Sequence, residues 1–173
     1  VDRWGQNFIS DASNGNNYYG TPFSGHVDYP RKQRPMQVWT LTQVRPTANV
    51  EFVSSRHFPD DAQGNFLVTN TIGFQGIKQY KVREEGSGFV AVETEPLLMS
   101  TDPNFRPIAI KFGFDGALYV ADWFNPLIGH MQYSLRDQRR DTTHGRIWRI
   151  TAKGPPLNER PRIEGEPIEA QLE

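Results

Sequence analysis

The 173-residue sequence predicts an all-β chain made of about three units of a β-propeller. Three observations predict it. A turn-glycine motif recurs three times, period-two strands follow it, and the composition is rich in aromatics (12%) and turn formers (Gly 15, Pro 13).

The motif is Gly5-Gln6-Asn7-Phe8-Ile9-Ser10-Asp11, then Gly64-Asn65-Phe66-Leu67-Val68-Thr69-Asn70, then Gly116-Ala117-Leu118-Tyr119-Val120-Ala121-Asp122. Each copy has a turn glycine, a short apolar run, a small residue, and a side-chain carbonyl or carboxylate. The glycines lie 59 and 52 residues apart. That is slightly longer than the roughly 40–50 residues of a four-stranded propeller unit, as inserted loops would make it.

A second element supports the register. Gly76-Ile77-Lys78-Gln79-Tyr80-Lys81-Val82 and Gly145-Arg146-Ile147-Trp148-Arg149-Ile150 start on glycine and alternate apolar with polar, the pattern of a strand with one buried face. Pro107-Ile108-Ala109-Ile110-Lys111-Phe112 precedes a Phe114-Asp115-Gly116 hairpin signal. Strands are expected at 117–121, 65–69, 77–82 and 146–150, with under about 15% helix. The fourth strand of each unit is less clear. A helix start is expected only in the tail, over 166–173. Residues 1–152 thus form a partial propeller, and 153–173 a linker into a following helical region. Val1-Asp2-Arg3-Trp4-Gly5 has no Met or signal peptide and enters a strand pattern directly, which reads as a position inside a domain.

Composition narrows the functions. Net charge is −1, with no basic field for a nucleic-acid backbone. No apolar run reaches the roughly 18 residues of a membrane span. The absence of cysteine rules out disulfides, thiolate metal sites, a cysteine nucleophile and a covalent c-type haem, and leaves the compartment open. No serine-hydrolase elbow, phosphate loop or zinc spacing is present.

Strand direction sorts the loops. Residues before an inner strand and after the second strand share one mouth, here Asn104-Phe105-Arg106 with Asp122-Trp123-Phe124-Asn125. Asp11 to Asn17 and Asn70 to Gln75 are the equivalent exits. His57, in the turn between the two strands, is expected at the far end.

At this mouth Arg106 could bind an anion bidentately or tie loops through carbonyls. Asp122 could orient a ligand or cap its own loop. Trp123 and Phe124 could stack on a ring or pack a core. Asp11, Asn14, Asn16 and Asn17 are oxygen donors in a glycine-broken loop, suited to Ca²⁺ or to a polar turn. His26 and His130 are candidate bases in mouth loops, and His144 is read as bonding backbone. Arg136-Asp137-Gln138-Arg139-Arg140-Asp141 reads as a salt-bridged lid loop.

Long motifs carry a resemblance. Asp102-Pro103-Asn104-Phe105-Arg106-Pro107, the run Asp115 to His130, and Ser134-Leu135-Arg136-Asp137 through Ile150 resemble the membrane-bound dehydrogenase propeller family. Its wider relatives are soluble glucose and sorbosone dehydrogenases that use pyrroloquinoline quinone (PQQ). Arg56-His57-Phe58-Pro59 and Ile72-Gly73-Phe74-Gln75-Gly76 fit as well, so the resemblance spans roughly residues 2 to 152.

It implies a six-bladed propeller in an exported protein, periplasmic or secreted, that oxidises a sugar or other alcohol with PQQ and Ca²⁺. Membrane association through other parts and a cytochrome-type electron acceptor are also implied. By residue, it implies cofactor contacts from Arg106, Asn104, Asp122 and Trp123 and metal oxygens from Asp11, Asn14 and Asn16. Asn104 stands where the enzymes have a second arginine, and Thr71-Ile72-Gly73 where they have a lysine. The catalytic histidine and an Arg-Asn pair are expected upstream of Val1. The alternative function is a non-catalytic propeller that binds glycan or serves as a scaffold. In either case the remaining blades, from the same or another chain, are expected against both flanks to complete burial of Leu118, Val120, Leu67, Val68 and Ile9.

Overall fold

In the computed structural model, residues 1–20, 37–40, 45–128, 136–159, 164, 165 and 167 are described here. The described chain is all-β, apart from one 3₁₀ turn at Asp60–Ala62. The strands are β1 Phe8–Ser10, β2 Asn17–Tyr19, β3 Gln37–Val38, β4 Thr47–Phe52, β5 Phe66–Asn70, β6 Gly76–Glu85, β7 Gly88–Glu93, β8 Leu98–Met99, β9 Pro107–Phe112, β10 Leu118–Asp122 and β11 Arg146–Ile150. They form three antiparallel sheets in chain order, β1-β2-β3, β4-β5-β6-β7 with β8 also on β6, and β9-β10-β11. The tail expected to start a helix at 166–173 lies outside the described residues but for Pro167.

The repeated glycine has a backbone reason. Gly5, Gly64 and Gly116 all adopt positive φ (83°, 74° and 81°), which a side chain would strain. Each lies in the turn two or three residues ahead of its strand. The expected strands at 117–121 and 65–69 fall one residue later, because Asp122 and Asn70 stay in the ladder. Asp122 pairs with Pro107 and Asn70 with Thr47, each across a one-residue bulge at the same place. The strand at 146–150 is as expected, and 77–82 extends to Gly76–Glu85. The missing fourth strand is the bent pair β7 and β8, lying on one side of β6.

The sheets stack face to face. Period-two alternation along β5 sends Phe66 and Val68 toward the first sheet and Leu67 toward the third. Phe66 and Val68 meet Phe8, Trp39, Tyr80 and Ala91, with the Phe8 and Trp39 rings 4.7 Å apart and Trp39 and Phe66 4.8 Å apart. Leu67 meets Val53, Ile110, Leu118 and Val120. Each such buried side chain stabilises the fold by about 1.5–3 kcal/mol relative to exposure.

This arrangement corrects one expectation. Leu118, Val120, Leu67 and Val68 are fully buried (0%) within these three sheets and need no further cover. Ile9 differs at 45% exposed, because its side of the first sheet faces outward. In register with it stand Tyr18 and Val38. On the outer face of the third sheet, Ile147 (77% exposed) is in register with Ala121 and Ala109.

His57 lies at the far end, as the strand directions predict. A Cβ on Gly116 would come within 2.9 Å of its Cβ, at the opposite end of β10 from Asp122. His57 Nε2 accepts the Ala152 N–H (3.0 Å), so Nδ1 carries the proton and donates to the Pro156 carbonyl (2.9 Å). His57→Ala should therefore cost about 1–3 kcal/mol by releasing the 152–156 segment, measurable by urea unfolding.

Candidate functional site

The mouth is built where β5 and β10 end and β9 begins. Asp122 and Asn70 occupy equivalent strand ends and do equivalent work. Asn70 Oδ1 accepts the N–H groups of Phe74 and Gln75 (both 3.1 Å), while its amide donates to the Pro46 carbonyl (3.2 Å). Asp122 Oδ1 accepts from Phe124 N–H (2.9 Å) and from Arg106 N–H (2.8 Å). The residue types follow from the neighbour. Proline has no N–H to give, so an amide that donates stands opposite Pro46, and a carboxylate opposite Arg106.

Asp122 also holds the third strand. Its Oδ2 accepts from Arg146 Nε (2.7 Å) and Trp148 Nε1 (3.0 Å). Arg146 continues to Asp102 Oδ2 through Nη1 (2.7 Å) and lies over the Phe124 ring at 4.1 Å. Its Nη2 is buried and has no hydrogen-bond partner among the described residues. Burial works against the Arg146 charge, yet the Asp102 and Asp122 carboxylates hold its pKa above the ordinary value. In turn the Asn104 N–H, then Arg146, hold Asp102 below the usual carboxylate range.

Arg106 is buried, and each of its three guanidinium nitrogens donates to a carbonyl. Nε reaches Asn125 (2.9 Å), Nη1 reaches Thr71 (2.7 Å) and Nη2 reaches Pro126 (3.2 Å). It thereby ties the loops after β5 and β10 together. Gln75 does the same from the other side, its amide donating to the carbonyls of Pro103 (3.0 Å) and Phe105 (3.1 Å). Burial pulls the Arg106 guanidinium down, with Asp122 and Asp102 opposing.

Asn104 donates its N–H to Asp102 (2.8 Å) and accepts from Asn125 N–H (3.0 Å). Its side borders a cleft of about 350 Å³ with Pro126 and residues 139–143. Trp123 is 40% exposed while its backbone N–H bonds the Arg106 carbonyl (2.9 Å). The charged run at 136–141 is salt-bridged as expected, Arg139 gripping Asp137 at 3.0 and 2.8 Å.

His144 differs from expectation. Its ring bonds side chains, Asp141 Oδ2 at 2.8 Å and Thr143 Oγ1 at 3.0 Å, because Asp141 already caps the turn through the backbone N–H groups of Thr143 and His144. Those bonds, the Thr143 N–H foremost, hold the Asp141 carboxyl down to about 2. A depressed carboxylate stabilises above its ordinary range and loses that contribution as pH falls through the folded value. Carboxyl NMR should therefore show Asp141 still ionised at pH 3 and protonating near pH 2.

Asp11, Asn14 and Asn16 form a local turn. Asp11 Oδ1 accepts from Ser13 N–H (2.7 Å) and Asn14 N–H (3.3 Å), and Asn14 Oδ1 from Asn16 N–H (2.7 Å). Asn17 is turned inward, donating to Thr40 Oγ1 (3.0 Å). No group of three or more acidic or histidine side chains is placed to hold a metal ion among the described residues. His26 and His130 lie outside the described residues.

Of the residues predicted for the site, Arg106, Asn104, Asp122 and Trp123 come together at one mouth. The Asp11 loop joins the neighbouring sheet through Ser10 Oγ to Thr47 Oγ1 (2.9 Å). Sequence reasoning missed Arg146 and Asp102. Arg146 faces Asp122 in the β10–β11 register, a pairing hidden by the long loop between those strands.

The chain belongs to the family described as Domain of unknown function (DUF7133), which it matches over residues 22–154. No curated protein and no solved structure matches it.

Proposed function

We propose that these residues are three consecutive blades of a six-bladed β-propeller, in an exported dehydrogenase that oxidises a sugar or other alcohol. Within it this part is the frame of the mouth. One observation carries the blade reading. Val68 and Val120 are each fully buried against the preceding sheet, while Ile9, the same position of the repeat, faces outward at 45% exposed. A stack in which each sheet covers the next, with an apolar face open at both ends, supports reading it as a stretch of a closed ring of sheets. The enzyme class rests on the motif resemblance.

The residues at this mouth do not fit PQQ. Arg106 is buried and bonded to three carbonyls, and Asp122 already accepts four hydrogen bonds. Asn104 and Thr71-Ile72-Gly73 supply no cation. Oδ1 of Asp11 and Oδ1 of Asn14 likewise accept backbone N–H groups within their turn. In the dehydrogenase reading, quinone contacts and the base are assigned to the other blades.

The same engagement favours a second reading, a non-catalytic propeller that binds glycan or acts as a scaffold. Incubating the full-length protein with PQQ, Ca²⁺ and a panel of aldoses and alcohols decides between them. Substrate-dependent reduction of a dye supports the dehydrogenase. No quinone absorbance and no turnover would leave the scaffold. Among the described residues no helix is long and apolar enough to cross a membrane. We propose periplasmic or secreted placement, with other parts of the protein contacting the membrane or a cytochrome-type acceptor.

A further inference from the structure

We infer that the cleft between Asn104 and the 139–143 turn binds a uronate, a hydroxy acid of monosaccharide size. The inference concerns the loops of the third sheet alone. It holds whether the whole protein is a dehydrogenase or a non-catalytic propeller.

The cleft holds about 350 Å³ and is lined by Asn104, Pro126 and residues 139–143. That is the small end of ligand sites, roughly 300–1,000 Å³, and it suits one sugar ring. Asn125 fixes the lining. It is 2% exposed, and each of its four polar atoms is bonded. Its N–H donates to the Asn104 carbonyl (3.0 Å), and its side-chain amide donates to the Asp141 carbonyl (3.0 Å). Its Oδ1 accepts from Leu127 N–H (3.1 Å), and its carbonyl from Arg106 Nε (2.9 Å). One buried residue thus joins the loops before β9 and after β10 to the turn ahead of β11. Asp141 shapes that turn, its Oδ1 accepting from the N–H groups of Thr143 and His144 (both 2.9 Å). Groups held in place before a ligand arrives lose less freedom on binding it.

The groups left over define the ligand. Asn104 is half-buried and both its backbone groups are bonded, yet its side-chain amide makes no hydrogen bond among the described residues. The same is true of the Thr142 hydroxyl. Arg140 is held at the lining by Nη1, which donates to the Leu127 carbonyl (3.2 Å).

The run 136–141 has three arginines against two aspartates. Both carboxylates are engaged locally, Asp137 by Arg139 (3.0 and 2.8 Å) and Asp141 by its turn and by His144 (2.8 Å). The run therefore keeps one formal positive charge, beside an unused amide and an unused hydroxyl. Guanidinium groups bind carboxylates through charge-assisted hydrogen bonds. Amide and hydroxyl side chains each both donate to and accept from sugar hydroxyls. A neutral sugar leaves the charge unmatched, and a simple anion leaves the amide and hydroxyl unmatched. A uronate matches all three, with its carboxylate on Arg140 and its ring hydroxyls on Asn104 and Thr142.

Isothermal titration calorimetry of the 173-residue chain with glucuronate and with glucose tests this. It needs neither PQQ nor turnover, so its outcome is separate from that of the dye assay. Glucuronate should bind at least about tenfold more tightly than glucose, because only it brings a carboxylate. Added salt should weaken glucuronate and leave glucose unchanged. Asn104→Asp keeps the side-chain shape and breaks no side-chain hydrogen bond, so the fold is kept. It sets a carboxylate against that of the ligand and should weaken glucuronate at least about tenfold. Thr142→Ala, at an exposed position, should weaken it too. No binding of glucuronate, equal affinity for the two sugars, or undiminished binding in both variants would overturn the proposal.

Discussion

Replacing Asp122 with alanine is expected to destabilise the chain by about 3–5 kcal/mol, the range for removing one partner of a buried ion pair. The Asp122 side chain is fully buried (0%) and accepts four hydrogen bonds, from two backbone N–H groups, the Arg146 guanidinium and the Trp148 indole. All four donors lose their acceptor together. Asp122→Asn is expected to be nearly as costly. Its oxygen can still cap the backbone, but its NH₂ then points at Arg146 and Trp148, which also donate. Arg146→Met should cost less, because Asp122 keeps its backbone donors and Trp148. Urea unfolding of the three variants checks the order, and an Asp122→Asn protein as stable as the parent would show that the carboxylate charge has no structural role.

Phe66→Ala and Leu67→Ala should each cost about 3–5 kcal/mol, although the two residues are adjacent and point to opposite faces. In a sheet with one wet face, one of any neighbouring pair tolerates truncation. Here both are fully buried, Phe66 among Phe8, Trp39 and Phe52 and Leu67 among Val53, Ile110 and Leu118. Ile9→Ala, at a half-exposed position of the same repeat, should cost under about 1 kcal/mol. Thermal or denaturant unfolding of the three variants reads this contrast directly.

The strands were legible because their signals are local. Positive φ at Gly5, Gly64 and Gly116 demands glycine, and period two places the apolar residues. The face each residue takes was less legible. Leu67 and Val68 read as needing further neighbours, yet sheets from distant parts of the chain already bury both. The mouth was legible as a place, since strand direction alone brings Arg106 and Asp122 to one end and His57 to the other.

What Arg106 bonds was not legible, because its partners are backbone carbonyls of Thr71, Asn125 and Pro126, which carry no side-chain signature. Arg146 escaped for a related reason. Its partnership with Asp122 depends on strand register across a long loop. At the recurring strand end, Asp11 and Asp122 were open to a ligand role or a local one, and each caps its own loop, as Asn70 does. A short polar side chain after a strand satisfies turn amides first.

The proposed larger ring would cover the outer faces at Ile9–Tyr18–Val38 and at Ile147–Ala121–Ala109. Sedimentation velocity on the 173-residue chain tests it most directly. The account predicts concentration-dependent association above the 19.8 kDa monomer, reduced when Ile9 and Ile147 are both changed to Asp. A monomer of that mass at every concentration, soluble and with one sharp unfolding transition, would contradict it.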